Sequence, residues 1–177
     1  RAVEAAIEQV GVLEQIADRL ISCFDAGGRV YLLGNVGSAA DAQHITAELG
    51  GRFKLDRKAM PAIALTTDTS TLTAVSNDIG FEQVFSRQVE ALVTKRDIVW
   101  ALSVSGRSAN VLRALQAAKK LGATVVGFTS RSGGVMAELC DLCFRADHDH
   151  SDRVQEVHQL AYHLICECIE RHYRSIQ

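Results

Sequence analysis

Short runs of β-branched and apolar residues alternate along this chain with longer stretches of helical periodicity, and that alternation limits the fold more than any other feature. Arg29-Val30-Tyr31-Leu32-Leu33, Ala62-Ile63-Ala64-Leu65, Asp97-Ile98-Val99-Trp100-Ala101-Leu102 and Thr124-Val125-Val126-Gly127-Phe128-Thr129 each read as a strand buried on both faces. That is the pattern of a parallel sheet whose two sides are covered by helices. Leu142-Cys143-Phe144-Arg145 is a weaker fifth strand. Helical stretches fall between these runs: Ala39 to Leu49, a pair within Ser70 to Leu92, Asn110 to Leu121, and a short one near Val135 to Leu139. Both ends are helical as well. Val3, Ile7, Val10, Leu13, Ile16 and Leu20 follow the spacing of an amphipathic helix, and Ser151-Asp152 opens a long helix that runs to about Arg174. The order of elements predicts an α/β three-layer sandwich with a five-stranded parallel sheet and helical N- and C-terminal extensions.

A length of 177 residues suits one domain with a sizeable core. Residues 1–27 form the helical extension, suited to contacts between subunits, and 28–177 the sheet core with its final helix. With 19 basic against 21 acidic residues, the chain offers no electrostatic case for nucleic acid. No apolar run approaches the ~20 residues of a membrane span. Cys23, Cys140, Cys143, Cys166 and Cys168 make an odd count with no secretory signal, which points to reduced thiols and a cytoplasmic protein. Cys140 and Cys143 have CxxC spacing but no second pair at zinc-finger distance, and read as buried structural thiols.

Open α/β sheets bind ligands outside the carboxyl ends of their strands. Two turns lie there. One is Gly34-Asn35-Val36-Gly37-Ser38, leading into a helix at Ala39; the other is Ser103-Val104-Ser105-Gly106-Arg107-Ser108, leading into Asn110. Neither is a Walker loop or GxGxxG, so nucleotide binding has no support. The second turn suits a phosphate monoester, with three hydroxyls and free N–H groups at a helix start, and Arg107 could add charge. The plainer alternative is that Ser108 only caps the helix.

His44 and Glu48 are four residues apart and share a helix face, so they can ligate one metal ion or simply pair. Gln155 and His163 sit eight apart on the last helix, where His163, among Leu160, Ala161, Tyr162 and Leu164, also reads as an ordinary core histidine. His148 and His150 lie in a polar run that reads as a solvated loop and could border a cleft. His158 could face the core or the site, and His172 the surface.

Gly34-Asn35-Val36-Gly37-Ser38-Ala39-Ala40-Asp41-Ala42-Gln43-His44 is similar to the signature of phosphoheptose isomerases, which usually read Gly-Asn-Gly-Gly-Ser. Pro61 to Asp68, Asn77 to Phe81, Phe85 to Glu90 and Arg153 to His158 resemble the same family in order and spacing. The resemblance runs from about residue 28 to 170 and implies the sugar isomerase (SIS) fold. It implies that Ser103, Ser105 and Ser108, with the backbone of Val104, hold a sugar phosphate. By the same resemblance Asn35, Val36, Gly37, Asn77 and Asp78 contact sugar hydroxyls, Glu48 and Gln155 also meet the substrate, and Arg52 lines a site completed by a neighbouring subunit. His44, Glu48, Gln155 and His163 would hold one zinc ion per subunit, with Gln155 a weak ligand, in a homotetramer with sites at subunit interfaces. Val36 departs from the usual glycine, which implies an extended backbone or a shifted loop, and Arg107 replaces a usual Asn.

The implied reaction interconverts D-sedoheptulose 7-phosphate and D-glycero-D-manno-heptose 7-phosphate through an enediolate, the first step of nucleotide-activated heptose synthesis for lipopolysaccharide core or surface glycan. Such chemistry needs a base for a carbon acid and stabilisation of the enediolate oxygens. Glu48 is the expected base and His163 the acid. Three rivals share the fold: a non-catalytic adaptor that binds a replication-initiation protein, an isomerase of another sugar phosphate, and a sugar-phosphate-sensing regulator. Adaptors of that kind lack the residues matching Glu48 and His163, and a regulator would need an added DNA-binding domain.

Overall fold

The structure, a computed structural model, describes residues 2–174. Five strands, β1 (Val30–Gly34), β2 (Ala62–Ala64), β3 (Ile98–Leu102), β4 (Thr124–Ser130) and β5 (Leu142–Ala146), form one sheet in the order β2-β1-β3-β4-β5. Every pairing is parallel, with Leu32 opposite Trp100 and Trp100 opposite Val126 at the centre. Side chains alternate between the two faces, as strand geometry requires. Leu32, Trp100 and Phe128 enter one core with α2 (Val10–Asp25), α3 (Gly37–Gly50) and α8 (Ser151–Arg174). Leu33, Val99 and Val125 enter the other, with α4 (Thr69–Asp78), α5 (Ser86–Leu92), α6 (Ala109–Lys120) and α7 (Met136–Leu139). The expected three layers are present.

Three expectations change. The N-terminal periodicity is split between α1 (Ala2–Ile7) and α2, and Ile7 and Val10 are exposed. The cause is Gln9. Its side-chain amide donates to Arg145 O at 2.6 Å and accepts from Arg145 N–H at 3.1 Å, covering the open edge of β5 and pulling the chain out of helix there. β2 is a three-residue edge strand, so Ile63 is exposed instead of buried on both faces. Cys140 and Cys143 are half-buried, not buried; Cys140 Sγ sits under the sheet 2.3 Å from where a side chain on Gly127 would begin.

Because β1 is followed by β2 on one side and β3 lies on the other, the chain reverses direction across the sheet between β1 and β3. That is the topological switch point, where an open α/β sheet parts to leave a crevice.

Candidate active site

A cleft of about 650 Å³ opens at the switch point. It is lined by Asn35, Val36 and Ser38 after β1, and by Ser103, Val104, Ser105, Arg107 and Ser108 after β3. The two turns are tied together. Asn35 and Asn110 exchange side-chain amide hydrogen bonds of 2.9 Å in both directions, and Asn110 is buried. Ser108 precedes α6 in capping position, yet its hydroxyl makes no capping bond; it lies 3.5 Å from Ser103 Oγ. A serine whose hydroxyl makes no capping bond keeps it for something else, and of the first-turn N–H groups of α6 beside it, that of Val111 donates to Asn110 Oδ1 at 2.9 Å. Gly106 makes the sharp bend at φ 58, where a Cβ would lie 2.2 Å from Gly133 O.

Val36 holds φ 53, ψ −118, and no other non-glycine among the described residues has positive φ. The backbone has therefore kept the glycine-like conformation and is not extended. A β-branched residue there costs about 1–3 kcal/mol. Its side chain is 91% exposed, so packing within the chain returns nothing.

A second grouping forms where α3 meets α8. One ligand atom from each of His44, Glu48 and His163 lies within 4.8 Å of the others, and all three side chains are half-buried. The pair four residues apart on α3 closes to 3.0 Å, His44 Nε2 to Glu48 Oε1. Tyr162 Oη sits 3.0 Å from His44 Nδ1 and 3.4 Å from Asp41 Oδ1. If the phenol donates to Asp41, it accepts from Nδ1–H, and His44 turns an Nε2 lone pair toward Glu48. Two lone-pair donors then face each other and call for a cation between them. If Nε2–H donates to Glu48, the pair is an ordinary hydrogen bond.

The surroundings tune these groups. Burial, then the adjacent Asp41 carboxylate, raises the Tyr162 phenol well above its ordinary value and keeps it protonated. Burial likewise raises Asp41, partly offset by the phenol. Burial first and His44 second lower the pKa of His163, favouring the neutral imidazole that ligates metals and exchanges protons. Two imidazoles and a carboxylate are ordinary zinc ligands, so the donor set fits that ion.

Gln155 is half-buried in the cleft wall, with its amide against Gly37 at the head of α3, where a Cβ would be 2.4 Å from Nε2. The other three expected ligands meet where the second half of that helix packs on α8. Asn77 and Asp78, exposed and bonded to each other at 2.7 Å, and exposed Arg52 are not among the residues lining the cleft. His158 is a core residue, its Nε2 3.0 Å from Thr129 O, and burial pushes it down to about 4.

The cleft also takes in Ser130, Ser132 and Ser151, which the sequence did not single out for a site, and Asp149, from the polar run around His148 and His150 that could border a cleft. Ser130 closes β4, and its place at a strand's carboxyl end is a usable signal. Tyr162 and Asn110 carry none, because their roles come from partners distant in the chain.

The SIS domain family matches residues 1–130. The phosphoheptose isomerase of Desulfovibrio desulfuricans is 52% identical over 160 residues, covering 90% of this chain and 76% of that protein. Phosphoheptose isomerase 1 of Campylobacter jejuni is 46% identical, covering 98% and 93%. The structure of phosphoheptose isomerase GmhA from Neisseria gonorrhoeae superposes with a TM-score of 0.89 at 40% identity, covering 96% of this chain and 91% of that one. With the sheet, the serine turn and the His–Glu–His grouping already in place, these likenesses assign the chain to the phosphoheptose isomerase family of SIS-domain proteins.

Proposed function

We infer that this protein is an aldose–ketose isomerase that converts D-sedoheptulose 7-phosphate to D-glycero-D-manno-heptose 7-phosphate, the entry step to nucleotide-activated heptose. The observation that carries the reading is the convergence of Glu48, His44 and His163 from α3 and α8, the two helices whose first turns line the hydroxyl-rich cleft through Ser38, Ser151 and Gln155.

In this reading the phosphate lies among Ser103, Ser105 and Ser108, with Val104 presenting backbone, and the N-terminus of α6 supplies a favourable dipole. Asn35, Val36, Gly37 and Gln155 meet the sugar hydroxyls along the cleft. Asn77, Asp78 and Arg52 are carried as further contacts, Arg52 toward a neighbouring subunit. Glu48 removes a proton from C1 of the open-chain ketose, the C1–H electrons form the enediolate double bond, and the C2 carbonyl oxygen takes the charge. The proton returns at C2 while His163 passes a proton between the two oxygens, leaving the aldehyde at C1. A zinc ion held by His44, Glu48 and His163, one per subunit and with Gln155 as a weak fourth ligand, would supply carbonyl polarisation and charge stabilisation.

Exposed Ile7, Val10, Leu160 and Leu164 favour burial against other copies, in keeping with a homotetramer. No helix among the described residues is long and apolar enough to cross a membrane, and a cytoplasmic setting suits a phosphorylated substrate. An adaptor role needs neither carboxylate nor imidazole, so the convergence of both favours the enzyme. Incubation with ketose phosphates of five, six and seven carbons tests the proposal. Preferred turnover of the seven-carbon substrate is expected; no aldose from any of them would refute it.

A further inference from the structure

Between α3 and β2 the chain runs through residues 51–61, a segment in which the reaction derived above uses Arg52 alone. Two buried charges fasten it. Glu170, on α8 and 2% exposed, accepts hydrogen bonds from three successive backbone N–H groups: Phe53 at 3.2 Å, Lys54 at 3.0 Å and Leu55 at 3.2 Å. The Arg57 side chain is equally buried, with Nε 3.2 Å from Glu170 Oε1. That nitrogen is too poorly aligned for a hydrogen bond, so its attraction to the carboxylate is coulombic. The Nη atoms donate elsewhere, Nη2 to Glu48 O at 2.6 Å and Nη1 to Leu49 O at 2.9 Å. These are among the last carbonyls of α3, left without partners inside the helix and carrying the negative end of its dipole; Leu49 O also accepts from Met60 N–H at 3.0 Å, and the guanidinium adds the positive charge that this end favours.

The same segment reaches the other helix of the site. The Phe53 ring stacks on the His163 imidazole, centroids 5.5 Å apart and planes at 21°. His163 lies two turns before Glu170 on α8, so the segment is pinned by Glu170 and lies back along the helix over the imidazole. Lys54 Nζ to Glu167 Oε2, 2.7 Å, adds an exposed tie between them.

A buried ion pair is a costly way merely to close a loop, since well-packed apolar groups often serve as well or better. What this one does that apolar groups could not is grip the backbone carbonyl of Glu48. We propose that Glu170, Arg57 and Phe53 form a positioning clamp that fixes the end of α3 beneath Glu48 and holds the His163 ring in plane, setting the spacing between the two groups. The clamp rests on the isomerase reading for its effect on turnover. None of its members touches a reacting atom. Geometry of this kind matters because a displacement of about 1 Å can cost about 10²-fold in rate.

Phe53→Ala tests it best, because Phe53 is only half-buried and the fold should survive its loss; Glu170→Gln keeps the shape of the buried acceptor and tests the other end. Kinetics with sedoheptulose 7-phosphate would be read beside crystal structures of both variants. Each should lower kcat by about tenfold or more while KM stays within about twofold, since the serine turn is untouched. Phe53→Tyr should restore the rate, and the His163 ring should be turned or spread over several rotamers in the Ala variant. Wild-type kcat in folded Phe53→Ala and Glu170→Gln, with His163 in its original place, would overturn the clamp. If the wild-type protein converts no ketose phosphate, the isomerase reading falls instead, and the crystal structures alone decide the clamp.

Discussion

The serine turn and the His–Glu–His grouping are built in opposite ways. The turn after β3 works through hydroxyls and backbone N–H groups, with Arg107 its only charged side chain, and glycine at φ 58 makes its bend without strain. The grouping between α3 and α8 works through titratable side chains, half-buried and braced by Tyr162, Asp41 and Phe53. A phosphate needs many fixed donors and no proton exchange; a carbon acid needs a few movable protons in a controlled environment. In the proposed function, this difference gives holding to one region and chemistry to the other. The turn after β1 stands between them, and there the bend is made by strained Val36 instead of glycine.

That division can be broken most forcefully at Glu48. Glu48→Gln should lower kcat by about 10³-fold or more while phosphate binding persists, read as full inhibition by substrate analogues at unchanged concentration. Normal turnover in that variant would remove Glu48 from the chemistry.

A histidine outside both regions sharpens the contrast by pH. His158 is buried with its pKa depressed from the ordinary 6.5 to about 4, so the fold holds it neutral while the unfolded chain protonates it. Its contribution is complete above pH 6.5 and is lost as pH falls from there toward 4, about 3 kcal/mol in all. Thermal melts should show Tm falling across that window, and His158→Gln should flatten the slope. A slope that His158→Gln leaves unchanged would assign the acid sensitivity to other groups.

On the holding side, Ser103→Ala combined with Ser105→Ala should raise KM by about thirtyfold with kcat changed far less, the signature of lost binding remote from the reacting carbons. An unchanged KM would place the phosphate elsewhere. The smallest effect is expected at the strained turn. Val36→Gly should relieve left-handed strain but add freedom to the unfolded chain, a net gain of about 1 kcal/mol or roughly 2–4 °C in Tm. A lower Tm would mean the valine side chain is packed in the assembled protein.

Much of this architecture is legible in the sequence alone. The β-branched runs that build the sheet and the four-residue spacing of His44 and Glu48 follow from local periodicity, which sequence carries directly. The two N-terminal helices read as one, because nothing local says that Gln9 will bond the backbone of Arg145 at a sheet edge 136 residues on. The bare Ser108 hydroxyl is likewise hidden, since an N-cap serine that caps and one that does not have the same sequence. His163 taken alone resembles a core residue, and only the packing of α3 on α8 puts it beside Glu48. The resemblance to a family supplies that pairing; periodicity does not.

The central claim is that Glu48 carries a proton between neighbouring carbons of one sugar phosphate. Running the reaction on sedoheptulose 7-phosphate in heavy water, with product deuterium located by NMR, tests it most directly. The account predicts an aldose labelled at C2, because a half-buried carboxyl group still within reach of solvent exchanges its proton before returning it, and no label or product with Glu48→Gln. Aldose formed by the wild-type protein with label equally present in the Glu48→Gln product would contradict it.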